Sequence, residues 1–90
     1  MATVTLGNYD ATADWVDLVA ESGFSTMNAV DSVVQNFGSG SVCVWPAGGS
    51  APTPDLGGII LAPFDSVQLN AANIWVKAMD GSALISGTTL

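Results

Sequence analysis

Histidine and arginine are absent from this 90-residue chain, and Lys77 is its only cation. Without histidine there is no Ser-His-Asp or Cys-His catalysis and no His-ligated metal. Without arginine there is no bidentate clamp for a carboxylate or phosphate. One lysine cannot form the basic patch that nucleic acid or an anionic membrane surface requires. Cys43 is the sole cysteine, so neither an intrachain disulfide nor a zinc site can form. No run approaches about 18 apolar residues, so no membrane-spanning segment is expected. Met1 to Asn8 carries neither a positive n-region nor an apolar h-region, the marks of a secretory leader. The expected place of synthesis is therefore a cytoplasm.

What is present is apolar and weakly charged. Hydrophobic residues make up 49% and charged residues 10%, the mean hydropathy is +0.47, and eight acids set the formal charge at −7. A free small domain normally carries more surface charge than this. An apolar excess with few charges is what buried assembly surfaces show, so part of the apolar content is expected to face a partner or sister subunit. Ninety residues make one domain.

Short apolar runs alternate with turn residues along the chain. Val4-Thr5-Leu6 reads as a brief first strand. Residues 14–20 fit two patterns. Trp15, Leu18 and Val19 make a helical face between Thr12 as N-cap and Gly23 as the C-terminal stop, while the same stretch is also rich in strand formers. Residues 29–35, with Val30, Val33 and Val34, and residues 42–45 read as strands. Asn36-Phe37-Gly38-Ser39-Gly40 between them predicts a β-hairpin. Residues 46–58 hold three prolines and four glycines and read as one long loop, a length usually tied to function or packing. Ile59-Ile60-Leu61 is the next strand, and Ala62-Pro63-Phe64-Asp65 a turn with Pro63 at its second position.

In Ser66-Val67-Gln68-Leu69 the alternation puts Val67 and Leu69 on one face. In residues 73–79 Ile74, Val76 and Ala78 share the inward face, and Trp75, Lys77 and Met79 the outward one. Asp80-Gly81 predicts a two-residue hairpin into a last strand at Ala83-Leu84-Ile85. Turns about every ten residues indicate an all-β fold, a small single-domain β-sandwich or barrel with short strands and hairpins over residues 1–90.

No constellation carries catalysis, so the expectation is a protein that is not an enzyme and needs no cofactor or metal. Asp10, Asp14, Asp17 and Glu21 are the densest acids, but the glycine and ligand spacing of a calcium loop is missing. Paired carboxylates alone do not define a glycosidase. Gly48-Gly49 and Gly57-Gly58 precede no helix with a lysine, so neither is a phosphate loop. Cys43 lies in an apolar run with nothing near it to lower its pKa, as expected of a buried inert thiol. Trp15, Trp45 and Trp75 suit core packing, interface anchoring or sugar stacking.

Several pieces occur in a suggestive order. They are Trp15-Val16-Asp17-Leu18, Val34-Gln35-Asn36, Val42-Cys43-Val44-Trp45, Gly58-Ile59-Ile60-Leu61-Ala62-Pro63, Ser66-Val67-Gln68-Leu69, Asn73-Ile74-Trp75-Val76-Lys77-Ala78 and the Asp80-Gly81 turn. In this order the chain resembles the short all-β virion structural proteins of tailed bacteriophages, over about residues 15–86. It departs from them at Phe64, where a glycine usually follows the proline. The resemblance implies a capsid decoration (cement) protein or a small tail or fibre component, with no catalytic residues. It favours strand over helix at residues 14–20. It also implies a homo-oligomer, a trimer for preference, the phage major capsid protein as partner, and the virion as location. The leading expectation is a module that decorates and stabilises the capsid shell through multivalent apolar and backbone contacts. The alternative is a tail or fibre module that binds a receptor or carbohydrate. Phe37, Trp45 and Phe64, each beside a predicted turn, and Trp75 on its outward face are the expected interface residues.

Overall fold

The computed structural model describes residues 4–21, 23–53, 57–79 and 82–90. Eight strands run in chain order: β1 (Val4–Thr12), β2 (Val16–Asp17), β3 (Ser32–Asn36), β4 (Val42–Ala47), β5 (Ile59–Leu61), β6 (Ser66–Leu69), β7 (Asn73–Ala78) and β8 (Ser82–Thr89). They form two four-stranded sheets, β1-β8-β3-β6 and β2-β7-β4-β5. Every strand pairing within them is antiparallel. The expected all-β class is correct.

Alternation builds the core. On β7, Ile74, Val76 and Ala78 are buried, with Trp75 and Lys77 half-buried between them, as the period-2 pattern predicts. Val42 and Val44 on β4 meet Ala78 and Val76 in register. The first sheet contributes Ala11, Val34, Ala83 and Ile85 to the same cluster, and Val67 and Leu69 pack against it together. At Gly87 the first sheet is approached closely from its inner side. A Cβ there would stand 2.8 Å from the Met27 sulfur and 3.0 Å from Phe24 Cδ1. Only a glycine lets those two side chains close over β8.

Residues 14–20 are neither one strand nor one helix. They give the two-residue β2 and then a single 3-10 turn, Leu18–Ala20. Its N-cap is Asp17, whose carboxylate accepts from Val19 N at 3.2 Å, so Thr12 is not the cap. Thr12 ends β1 instead. Leu18 and Val19 are buried, so tertiary burial wins over local helical periodicity. A second 3-10 turn, Ser25–Met27, buries Met27.

The hairpin expected across residues 36–40 does not form: β3 and β4 belong to different sheets. Strands β7 and β8 are likewise in different sheets, so they are not a paired hairpin, and Asp80-Gly81 itself lies outside the described residues. Of the described strands, only β4 and β5 are both consecutive and paired. Turn chemistry shows that the chain reverses there, but it does not fix which sheet receives the chain.

Boundaries also shift. Strand β1 covers nine residues rather than three, because eight registered pairs with β8 override the poor strand propensity of Gly7, Asn8 and Asp10. A register shift between Thr5 and Gly7, with Gly7 at φ +111°, marks a bulge on this edge strand. Val30 falls outside β3 and is exposed. Pro46 belongs to β4 rather than to the loop. Pairing with β5 covers only residues 42–44, so a residue without an N–H is tolerated at Pro46.

Candidate functional site

The alternation of β3 sends Ser32, Val34 and Asn36 inward, so a primary amide is fully buried at the strand's end. A buried amide needs partners for its donors and its acceptor. Asn36 Nδ2 donates to Gly40 O at 2.7 Å and to Leu61 O at 3.0 Å, and Oδ1 accepts from Gly38 N at 2.9 Å. Its backbone N–H donates to Asp65 O at 2.9 Å, and its carbonyl accepts from Phe64 N at 2.6 Å. One residue thus ties together the 37–40 loop, the end of β5 and the 62–65 turn.

That turn is closed twice. Asp65 N donates to Ala62 O at 2.9 Å, and Ala62 N donates to Asp65 Oδ2 at 3.2 Å. Pro63 takes the second position, as expected, and Phe64 the third, at φ +70°. A type II turn places a left-handed residue there and favours glycine. For another L-residue this conformation costs about 1–2 kcal/mol. The Phe64 ring recovers little of this by burial within the chain, since the residue is 71% exposed. Phe37 stands on the other side of Asn36, 44% exposed, its N–H donating to Leu84 O at 2.7 Å. Two phenylalanines that sequence reasoning placed beside turns are therefore displayed on one end of the sandwich, on loops fixed by the same buried amide.

Trp45 and Trp75 are elsewhere. They form a registered pair on β4 and β7 and are half-buried. Trp15 meets Trp45 edge to face, with centroids 6.1 Å apart at 81°. Trp75 Nε1 is buried and has no hydrogen-bond partner among the described residues. Gly58, at φ +76°, lies against this group: a Cβ there would be 2.6 Å from Val44 O and 3.2 Å from Trp45 Cε3. The four expected interface residues are thus two pairs on two different parts of the surface. Ile60, 53% exposed on the edge strand β5, was not among them. The signal was available, because a run of three apolar residues in one strand must turn at least one of them outward.

The remaining candidates hold structure. Cys43 is fully buried. Asp17, besides capping Val19, accepts from Asn73 Nδ2 at 2.6 Å and from Ile74 N at 3.2 Å, binding β2 to β7. Asn73 Oδ1 in turn accepts from Gly49 N at 2.9 Å. Among the described residues no group of three or more acidic or cysteine side chains is placed to hold a metal ion. No helix among them is long and apolar enough to cross a membrane. The Tyr9 phenol is pushed above its usual value of 10.0, first by burial and then by the Glu21 carboxylate that accepts its hydrogen bond. Comparison with protein-family models, with curated proteins and with solved structures finds no match to this chain.

Proposed function

We propose that the protein is a non-catalytic structural component of a phage particle, a decoration module that stabilises the capsid shell as a homo-oligomer. The observation that carries this reading is Phe64. A large apolar ring is kept in a left-handed turn position that suits glycine, and most of it faces solvent. Backbone strain with little side-chain burial in return points to a contact made outside the chain. An aromatic anchor of this kind contributes strongly when it enters a pocket on a partner. The major capsid protein is the proposed partner, and a trimer the proposed assembly. On a repeating shell, modest contacts of this kind add through multivalency. The motif order described above supports the same reading.

The test separates contact from folding. In this reading the chain bands with purified phage particles, and mass spectrometry detects it there. Phe64→Gly unfolds at or above the wild-type temperature, because glycine relieves the turn, yet it fails to sediment with particles stripped of the native protein. Sedimentation equilibrium gives about three times 9.1 kDa for the trimer. Absence of the chain from purified particles, or full attachment of Phe64→Gly, refutes the proposal.

A further inference from the structure

The outer face of the first sheet carries an open groove of about 530 Å³, lined by Asn8, Gln35, Phe37, Leu84, Ser86 and Thr88. Register explains the lining. Asn8 is opposite Ser86, Ser86 is opposite Gln35, and Gln35 is opposite Ser66, so one row crosses β1, β8, β3 and β6. Neighbouring strands are about 4.8 Å apart, so the row of four spans roughly 14 Å. Thr88 and Leu84 lie two residues to either side of Ser86 along β8, on the same face. Phe37, its N–H donating to the Leu84 carbonyl, borders the Leu84 end and is 44% exposed as a residue.

The chemistry of this lining is narrow. None of the six residues carries a charge. Two primary amides each offer a carbonyl acceptor and an NH₂ donor side by side, and the Thr88 hydroxyl donates or accepts as needed, with the Ser86 hydroxyl largely buried at the floor between them. The Gln35 amide makes one long hydrogen bond, 3.4 Å from Nε2 to Phe64 O, at an exposed position. Such amides match pairs of neighbouring hydroxyls, and the Phe37 ring offers an apolar face for ring C–H groups. Anions are disfavoured. The chain carries −7, Asp10 is in register with Leu84 at the groove's border, and the single cation, Lys77, belongs to the other sheet.

From the uncharged amide and hydroxyl row beside an exposed aromatic ring, we infer that the groove binds a neutral oligosaccharide, lying across the strands from Asn8 toward Ser66. The groove is on the sheet that does not carry the tryptophans, and its polar row meets the Phe64 turn through the backbone carbonyl of Phe64, not through the ring of the proposed particle contact. It therefore stands whether or not the chain attaches to a capsid.

The experiment titrates the isotope-labelled full chain with neutral hexasaccharides (maltohexaose, cellohexaose and hexa-N-acetylchitohexaose) and with an oligogalacturonate as the acidic arm, following backbone and side-chain amide resonances. The expected result is saturable shifts from at least one neutral sugar. They centre on the Asn8 and Gln35 side-chain NH₂ groups and on the backbone of residues 84–88, and added salt leaves the affinity unchanged. Gln35→Ala and Asn8→Ala, on the outer face, keep the wild-type unfolding temperature and weaken binding by about tenfold each. Phe37→Ala weakens it similarly. Phe64→Gly leaves it unchanged, which separates this site from particle attachment. The inference is overturned if no neutral sugar shifts the groove resonances at millimolar concentration. It is equally overturned if the shifts map to Trp15, Trp45 and Trp75, or if the galacturonate binds as well as the neutral sugars.

Discussion

Asn36 gives the sharpest test of how the displayed end is held. Replacing it with alanine removes three side-chain hydrogen bonds, to Gly40 O, Leu61 O and Gly38 N, within a fully buried site. At about 1 kcal/mol net for each bond, the loss is about 3 kcal/mol. That is a large part of a small domain's stability, on the order of 5 kcal/mol. It corresponds to a fall in Tm of roughly 12–24 °C. Asn36→Asp has almost the same shape but opposite demands. The ionised carboxylate still accepts from Gly38 N, yet it faces two carbonyl oxygens to which it can donate nothing. A buried charge left without compensation costs about 3–5 kcal/mol, so this variant is the weaker of the two at neutral pH.

Its pH dependence has a definite sign. Burial and the two carbonyls raise the folded pKa of the introduced carboxyl above its unfolded value of about 3.9. The folded state then holds the proton more tightly. The variant approaches wild-type stability below that unfolded value and loses stability as pH rises through the raised folded value. Urea unfolding followed by tryptophan fluorescence, from about pH 3.5 to pH 8, reads both effects against the wild type. A loss below about 1 kcal/mol for Asn36→Ala, or an Asn36→Asp deficit that does not change with pH, refutes the role given to this amide.

Gly87→Ala drives a methyl into Met27 and Phe24 and destabilises by about 1–3 kcal/mol. In a double-mutant cycle with Met27→Ala the two losses are less than additive, because the second change opens the space the first one needs. Gly58→Ala combines a left-handed φ with a Cβ 2.6 Å from Val44 O, so it costs about 2 kcal/mol or more and shifts the Trp45 emission. Tyr9 is the only tyrosine, so absorbance of the phenolate reports it directly. Its midpoint lies above 10.0, and Glu21→Gln moves it downward. Because the folded pKa is the higher, the contribution of Tyr9 to stability is complete below pH 10 and fades as pH climbs through the raised value. A wild-type midpoint at or below the ordinary value counts against the Tyr9–Glu21 contact.

Much of the fold is legible from local pattern. Strand β6 and the two faces of β7 follow from alternation alone, because one buried face repeats every second residue. The Pro63 turn follows from proline's fixed φ. Pairing is what local pattern does not carry. Asn36-Phe37-Gly38 and Asp80-Gly81 read as hairpins because their residues tolerate unusual dihedrals. Whether the chain then re-enters its own sheet depends on partners tens of residues away. Strand β1 was under-read for the same reason, since its pairing comes from β8 at the other end of the chain. The site divides similarly. Phe37 and Phe64 could be found by their place beside turns. Asn36 could not, because an asparagine before Phe-Gly reads as a turn-former. Its burial is decided by Leu61, a residue 25 positions away. The groove across the first sheet was hidden altogether, since Asn8, Gln35 and Ser86 align only once three distant strands are in register.

The position of β8 has a consequence for when the protein can fold. Strand β8 follows the other seven described strands in sequence, yet it is an inner strand of its sheet, set between β1 and β3. Until β8 is available, β1 has no partner, and Ala83 and Ile85 are missing from the core. A nascent chain that has completed β7 can assemble the second sheet, but its apolar inner face has only half a sandwich to cover it. Folding is therefore gated by completion of residues 82–89 rather than proceeding strand by strand during translation. A chain that stops short of β8 leaves β1 without the strand it pairs with here and leaves the core open on that side.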